Sequence, residues 1–279
     1  MNQKNHGRGA EDLRHWCGLT LPPLLTLGIV VAGWQMLVDL LGLQPYILPG
    51  PAHVSEAIAT NLDSLIRAVS LTAQAAIAGF LLSFVAGFFI AVLFSQSAWV
   101  ERSLYPYAIF LQTVPIVAVA PLIVMWIGHG LGGIIAVSFI ISLFPIIANT
   151  TAGLTSISPP LDDLFALHDA SRWQRLWKLQ VPHAVPDMLT GARISCGLSV
   201  IGAIVGEFFT GYGTTDFGLG YLIIQTNAMT KTPYLFACVL FSTGLGLLFF
   251  GVVSSRNASR GANPFARGYV EVPVVGTQV

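Results

Sequence analysis

One carboxyl group stands nearly alone in the apolar part of this sequence. Glu207 lies in the run ISCGLSVIGAIVGEFFT. Apart from Asp39, near the end of the first apolar stretch, no other acid sits inside such a run away from its ends. A carboxyl group in lipid is costly, so it turns toward a bundle interior or a water-filled path. There it could exchange a proton, gate a solute or bond a neighbouring helix. Gln112, Thr113 and Pro115 form a second polar interruption, and Asn149 a third. Their polar groups, with the carbonyl that Pro115 frees, could line a path or join helix to helix. Other chemistries find no residues. Cys17, Cys196 and Cys238 are far apart without CxxC spacing, and the six histidines are scattered, so no metal site is expected. No phosphate loop of the form G-x-x-x-x-G-K-[ST] occurs, so ATP hydrolysis is not expected of this chain.

A second cluster is basic and aromatic. In SRWQRLWKLQ, residues 171–180, Trp173, Leu176 and Trp177 recur at i, i+3 and i+4 and share one helical face. Arg172, Arg175 and Lys178 share the other. Upstream, Ser158 is a good N-cap, Pro159 fits the first helical position, and Asp162 and Asp163 face the positive end of the helix dipole. That short helix should end near Asp169. Ser171 and Gln174 have capping-box spacing, so a second helix should begin there and run to about Val181, where Pro182 should stop it. Two readings fit such a pair. It could lie on anionic headgroups, or it could be a docking knob for a soluble partner.

The elements that hold these residues follow from composition. The chain has 279 residues, 54% of them hydrophobic and 9% charged, with a mean hydropathy of +0.73. A soluble domain is about 25% charged, so the solvent for most of this chain must be lipid. Net charge is zero, and nothing points to nucleic acid. Runs of about 20 apolar residues can cross a bilayer. Six qualify, at 19–43, 71–96, 104–127, 131–150, 188–210 and 234–254. The first is too long for a signal-peptide core and no cleavage site follows, so it is expected to remain as a span. With the N-terminus inside, eleven Lys and Arg fall inside and only Arg67 and Lys231 outside, so both termini are expected in the cytoplasm. The expectation is an all-α polytopic bundle of six transmembrane helices, with the basic–aromatic pair in the cytoplasm between helices 4 and 5. Its parts are a cytoplasmic tail over 1–18, a membrane domain over 19–254 containing the segment 158–182, and a flexible cytoplasmic tail over 255–279. Gly197, Gly202, Ala203 and Gly206 suit close helix approach. The tight turn GHGLGG separates the third and fourth runs. Val54, Ala57, Ile58, Leu62, Leu65 and Ile66 read as a surface amphipathic helix, and 211–233 as a Gly-rich turn followed by a short element too polar to span.

Four stretches in order carry a resemblance: LPGPAHVSEAI, VPIVAVAPLIVMWIGHG, DASRWQRLWKLQVPHAVPDMLTGARIS and GEFFTGYGTTDFGLGYLI. They are similar to the permeases of binding-protein-dependent ABC importers, of the nitrate/sulfonate/taurine type, over 49–254. The third stretch resembles that family's cytoplasmic loop. Aligned on Ala170 and Ser171, the family's E-A-A falls on Asp163, Leu164 and Phe165, and its Gly on Asp169. Asp163 keeps the negative charge. Asp169 stands at the break between the two helices, where a left-handed residue is expected. The resemblance implies that Asp163, Asp169, Ala170, Ser171, Arg172, Trp173, Arg175 and Trp177 meet a cytoplasmic ATP-binding subunit, present in two copies. It also implies an extracytoplasmic substrate-binding protein, a second permease copy forming a homodimer, and a place in the bacterial cytoplasmic (inner) membrane. ATP and Mg would sit on the partner, with no cofactor on this chain. The family also has a Glu at the position of Glu207. The solute would be a nitrate-, sulfonate- or taurine-like anion, or a pyrimidine- or riboflavin-type compound. Two competitors remain. A secondary transporter would use Glu207 as its proton site. An intramembrane enzyme would need paired acids or a serine beside a histidine, and Glu207 has no such companion at its depth.

Overall fold

The structure, a computed structural model, describes residues 6–210 and 217–258. Residues 1–5, residues 211–216 of the expected Gly-rich turn, and residues 259–279 of the expected tail lie outside this description. The described residues are helical, with no strand among them. In chain order the helices are α1 (His6–Leu41), α2 (Pro51–Thr60), α3 (Leu62–Ser95), α4 (Ala98–Thr113), α5 (Ile116–Ile127), α6 (Leu131–Thr155), α7 (Pro159–Leu167), α8 (Arg172–Arg175), α9 (Val181–Thr210), α10 (Leu219–Ala228) and α11 (Thr232–Ala258). Among the described residues, five helical stretches are long and apolar enough to cross a membrane: Leu21–Leu41, Leu62–Ser95, Leu131–Thr155, Arg172–Thr210 and Thr232–Ser254.

The stretch expected as a third continuous span, 104–127, is instead two helices, α4 and α5. Pro115 has no N–H to donate, and it forces Val114 out of helical conformation, with ψ at 123°. A second correction concerns the apolar residues from Val54 to Ile66. They do not form one surface helix. Asn61 interrupts them, its side-chain Nδ2 donating to the Ala57 carbonyl at 2.9 Å. The span helix α3 then begins at Leu62, nine residues before the expected start at Leu71. Val54 and Leu65 are buried against Leu219, Leu222, Ala237 and Cys238, so α2 is packed into the protein at this end of the bundle. The turn between α5 and α6 is as the sequence requires: Gly128 and Gly130 have φ of 112° and 124°, open only to glycine without strain.

Helices α3, α6 and α9 make the centre. Small residues let their backbones approach, and serines then bond across. A Cβ at Gly79 would land on the Ser138 side chain, and one at Gly202 would lie 2.7 Å from Ser138 Cα. Ser83 Oγ donates to the Phe139 carbonyl at 2.7 Å, Ser138 Oγ to the Ser199 carbonyl at 2.8 Å, and Ser195 Oγ to the Ser142 carbonyl at 2.7 Å. Of the residues expected at close crossings, Gly202, Ala203 and Gly206 are buried against neighbours, while Gly197 has nothing within 4 Å of where its Cβ would be. Around the perimeter the apolar side chains are open. Ile29 and Leu40 on α1 are each 72% exposed, which suits lipid contact.

Candidate functional site

At the end of α3 remote from its beginning, Ala91 packs with Leu154, Leu176 and Ala184. This apolar cluster seats the basic–aromatic segment. Helix α7 starts at Pro159 behind Ser158 and carries Asp162 in its first turn. It ends in a Schellman turn: the Asp169 N–H donates to the Ala166 carbonyl and the Ala170 N–H to the Phe165 carbonyl, both at 3.0 Å. Asp169 is left-handed, with φ of 47°, at the break where the sequence reading wants such a residue. Helix α8 opens with the capping box. The Ser171 N–H donates to Gln174 Oε1 at 2.9 Å, and the Gln174 N–H donates to Ser171 Oγ at 3.3 Å. Arg175 ties the two helices together through an ion pair with the Asp162 carboxylate and a 3.1 Å bond to the Asp162 carbonyl.

The second helix does not stop at Pro182. Residues Leu176–Gln180 form a π-turn, with the Val181 N–H donating to the Leu176 carbonyl, and α9 follows without a break. The wider turn moves carbonyls away from the proline ring that would otherwise strike them. The predicted face is divided by depth. Leu176 is buried, the ring of Trp177 lies 6.4 Å from that of Phe88, and Trp173 is 69% exposed. Arg172, Asp163 and Ser171 are exposed, and Ala170 is half-buried. Sequence reasoning missed Leu167, which is 81% exposed on the last turn of α7. It also missed a cleft of about 350 Å³ between the helices, bounded by Phe165, His168, Ala170, Gln174 and Lys178.

The second site lies at the other end of the bundle. Glu207, near the end of α9, is fully buried. Its Oε1 receives the Thr72 hydroxyl at 2.7 Å, and its Oε2 receives the Gly220 N–H at 2.6 Å. Thr72 Oγ1 in turn accepts the Leu219 N–H at 3.0 Å. A helix N-terminus leaves its first N–H groups without intrahelical partners. Here Thr72 and Glu207 satisfy two of those of α10, on Leu219 and Gly220, and bind α3, α9 and α10 into a clasp. The spacing of the GLG sequence is set by contact. A Cβ at Gly218 would collide with the Glu207 carboxyl, and one at Gly220 would collide with the Ile204 carbonyl. Neither Thr72 nor the two glycines was singled out from the sequence. The other polar candidates are elsewhere and bond locally. Thr113 Oγ1 donates to the Phe110 carbonyl at 2.8 Å, and Asn149 Nδ2 to the Pro145 carbonyl at 2.8 Å. Gln112 and Pro115 are exposed at the α4–α5 break.

Residues 79–255 match the family described as "Binding-protein-dependent transport system inner membrane component". The chain belongs to this family. A probable ABC transporter permease protein of Haemophilus influenzae is 34% identical over 83% of this chain and 94% of its own length. The formylaminopyrimidine transport permease protein ThiX of Halalkalibacterium halodurans is also 34% identical, over 84% of this chain and 92% of its own. The fold is similar to an inward-facing form of the MetNI methionine ABC transporter. That match has a TM-score of 0.62 at 18% identity and covers 72% of this chain and 97% of the other. The permease is therefore an all-helical transport component of the membrane, as the resemblance in its sequence implies.

Proposed function

We propose that this permease works in the bacterial inner membrane as one of two identical copies, with both termini in the cytoplasm. In this reading α4 and α5 together make one crossing, which with the five long helices gives six. The α7–α8 pair is the coupling segment, gripped by an ATP-binding subunit on each copy, and a substrate-binding protein delivers solute at the opposite face. ATP and Mg belong to the ATP-binding subunit, and this chain supplies the path. One observation carries the reading. The α7–α8 pair is fixed to the bundle through Leu176 and knit internally by Arg175 and Asp162, yet it leaves Leu167 and Trp173 bare. A rigid, partly apolar knob with a basic flank suits a protein groove. Asp163, Asp169, Ala170, Ser171, Arg172, Trp173, Arg175 and Trp177 form or shape that knob. Glu207 holds α10 at the opposite mouth, and Gln112, Thr113, Pro115 and Asn149 are candidates for the path wall.

The solute is small. It is either a nitrate-, sulfonate- or taurine-like anion or a compound of pyrimidine or riboflavin type, and the formylaminopyrimidine relative supports the second class. The test is co-purification in detergent with the ATP-binding subunit. Arg172→Ala with Trp173→Ala should lower its retention at least tenfold, a loss of about 1.4 kcal/mol or more, while membrane insertion is unchanged. Undiminished retention would mean that the segment is a lipid-surface helix.

A further inference from the structure

A cleft of about 660 Å³ opens at the α2–α3 junction, at the end of the bundle remote from α7 and α8. Its wall is a stripe at helical spacing, with Asn61 at the head of α3 and Ser64, Arg67, Ser70 and Gln74 within it. The neighbouring stripe, Leu65, Ala68, Thr72 and Ala75, is fully buried in the bundle. A third, with Leu62, Ile66, Ile77 and Leu81, is apolar and exposed, as a lipid-facing surface should be. A row of polar side chains that reaches Gln74, more than three turns into α3, suits water better than lipid. The polar stripe therefore faces water.

The lining carries one acid, Asp63, and one base, Arg67. They do not pair with each other. Among the described residues the single ion pair is the one between Arg175 and Asp162. The cleft thus has no net charge with which to draw anions or cations. Asn61, Ser64 and Ser70 bond to Ala57, Tyr234 and the Arg67 carbonyl, while the side chains of Arg67 and Gln74 keep their donors for a ligand. The lining also includes Phe217, which stacks on Tyr221 with ring centroids 4.2 Å apart and planes 17° from parallel. Phe217 remains 36% exposed, so this two-ring slab is partly open. Hydrogen-bonding groups and a partly open aromatic ring lining one cleft match a flat solute with polar edges.

We infer that this cleft is a binding site for an uncharged planar heterocycle at the outer mouth of the permease. The inference rests on the orientation and transport role proposed above, and it selects the second of the two solute classes. Arg67 and Gln74 would bond the edge of the ring system and Phe217 its face. The test uses lumichrome, an uncharged fluorescent tricycle, with the complete transporter in lipid nanodiscs. Saturable quenching is expected, unaffected by millimolar nitrate or taurine. Phe217→Leu should weaken it about two- to tenfold, the range of an aromatic pair, while Phe217→Trp should preserve it. Arg67→Gln should weaken it as well. Absence of saturable quenching, displacement by nitrate or taurine, or identical binding by Phe217→Leu would each overturn the assignment. Retention of the ATP-binding subunit, measured on the same preparation, reports separately on the transport role.

Discussion

Replacing Thr72 by Val tests whether the clasp holds α10. The two side chains have nearly the same shape, so the change removes one hydroxyl and little else. That hydroxyl donates to Glu207 Oε1 at 2.7 Å and accepts the Leu219 N–H at 3.0 Å. Interhelical hydrogen bonds in membranes average about 0.6 kcal/mol and reach about 1.7 kcal/mol, so the buried bond to the Glu207 carboxyl contributes about 1 kcal/mol. The larger effect is the buried Leu219 N–H left without a partner, at about 1–3 kcal/mol. Thr72→Val should therefore destabilise the chain by roughly 2–4 kcal/mol, read as a shift in its unfolding transition in mixed micelles. Amide exchange over 219–228 should rise selectively, because the first turn of α10 frays. Thr72→Ser keeps the hydroxyl and loses one methyl, about 0.8 kcal/mol, so exchange there should stay near that of the parent. If Thr72→Val unfolds with the parent and α10 exchanges no faster, the clasp does not hold the helix.

Two further perturbations separate contact from composition. Gly202→Ala should cost about 1–3 kcal/mol through collision with α6, whereas Gly197→Ala should be neutral or gain up to about 1 kcal/mol from helix propensity; equal unfolding midpoints for the two would refute the packing argument. Asp169→Gly should stabilise the α7–α8 turn by about 0.5 kcal/mol, and Asp169→Val should cost more than about 1 kcal/mol because a β-branched residue is strained at positive φ. Both are read as shifts in the same unfolding transition, and indistinguishable midpoints would mean that the turn relaxes away from its left-handed geometry.

Local chemistry was legible where its cause was local. The Ser171–Gln174 box, the tight turn around Gly128 and Gly130 and the left-handed Asp169 each follow from a few adjacent residues. The apolar runs located the spans, and small residues marked the α6–α9 crossing. What escaped depended on distant partners. The carboxyl of Glu207 was visible as an oddity, but Thr72 lies 135 residues away, and a lone threonine in an apolar run carries no signal of its partner. The start of α3 was placed nine residues late because Val54 and Leu65 were read as part of a surface amphipathic helix, when in fact they pack on α10 and α11. Pro115 was noted, but neighbouring helices can excuse a proline inside a span, so the run was left whole. At Pro182 the opposite error arose: a stop was read where the helix widened instead.

That widening has an arithmetic consequence. A π-turn holds one residue more than the α-helix it interrupts, and each residue of an α-helix turns the chain by about 100°. The extra residue is absorbed inside Leu176–Gln180, so it does not rotate the serines and glycines that α9 presents to α6. Deleting one residue within 176–180 would let the turn close to α, with those faces still in register. The same deletion within 190–206 would swing Ser195 or Gly202 off α6 altogether. Pro182 sets the condition on this tolerance, because closing the turn returns a carbonyl to the path of its ring. The segment is thus the one place in the long helix Arg172–Thr210 built to hold a spare residue, and Pro182 is the wedge that keeps it there.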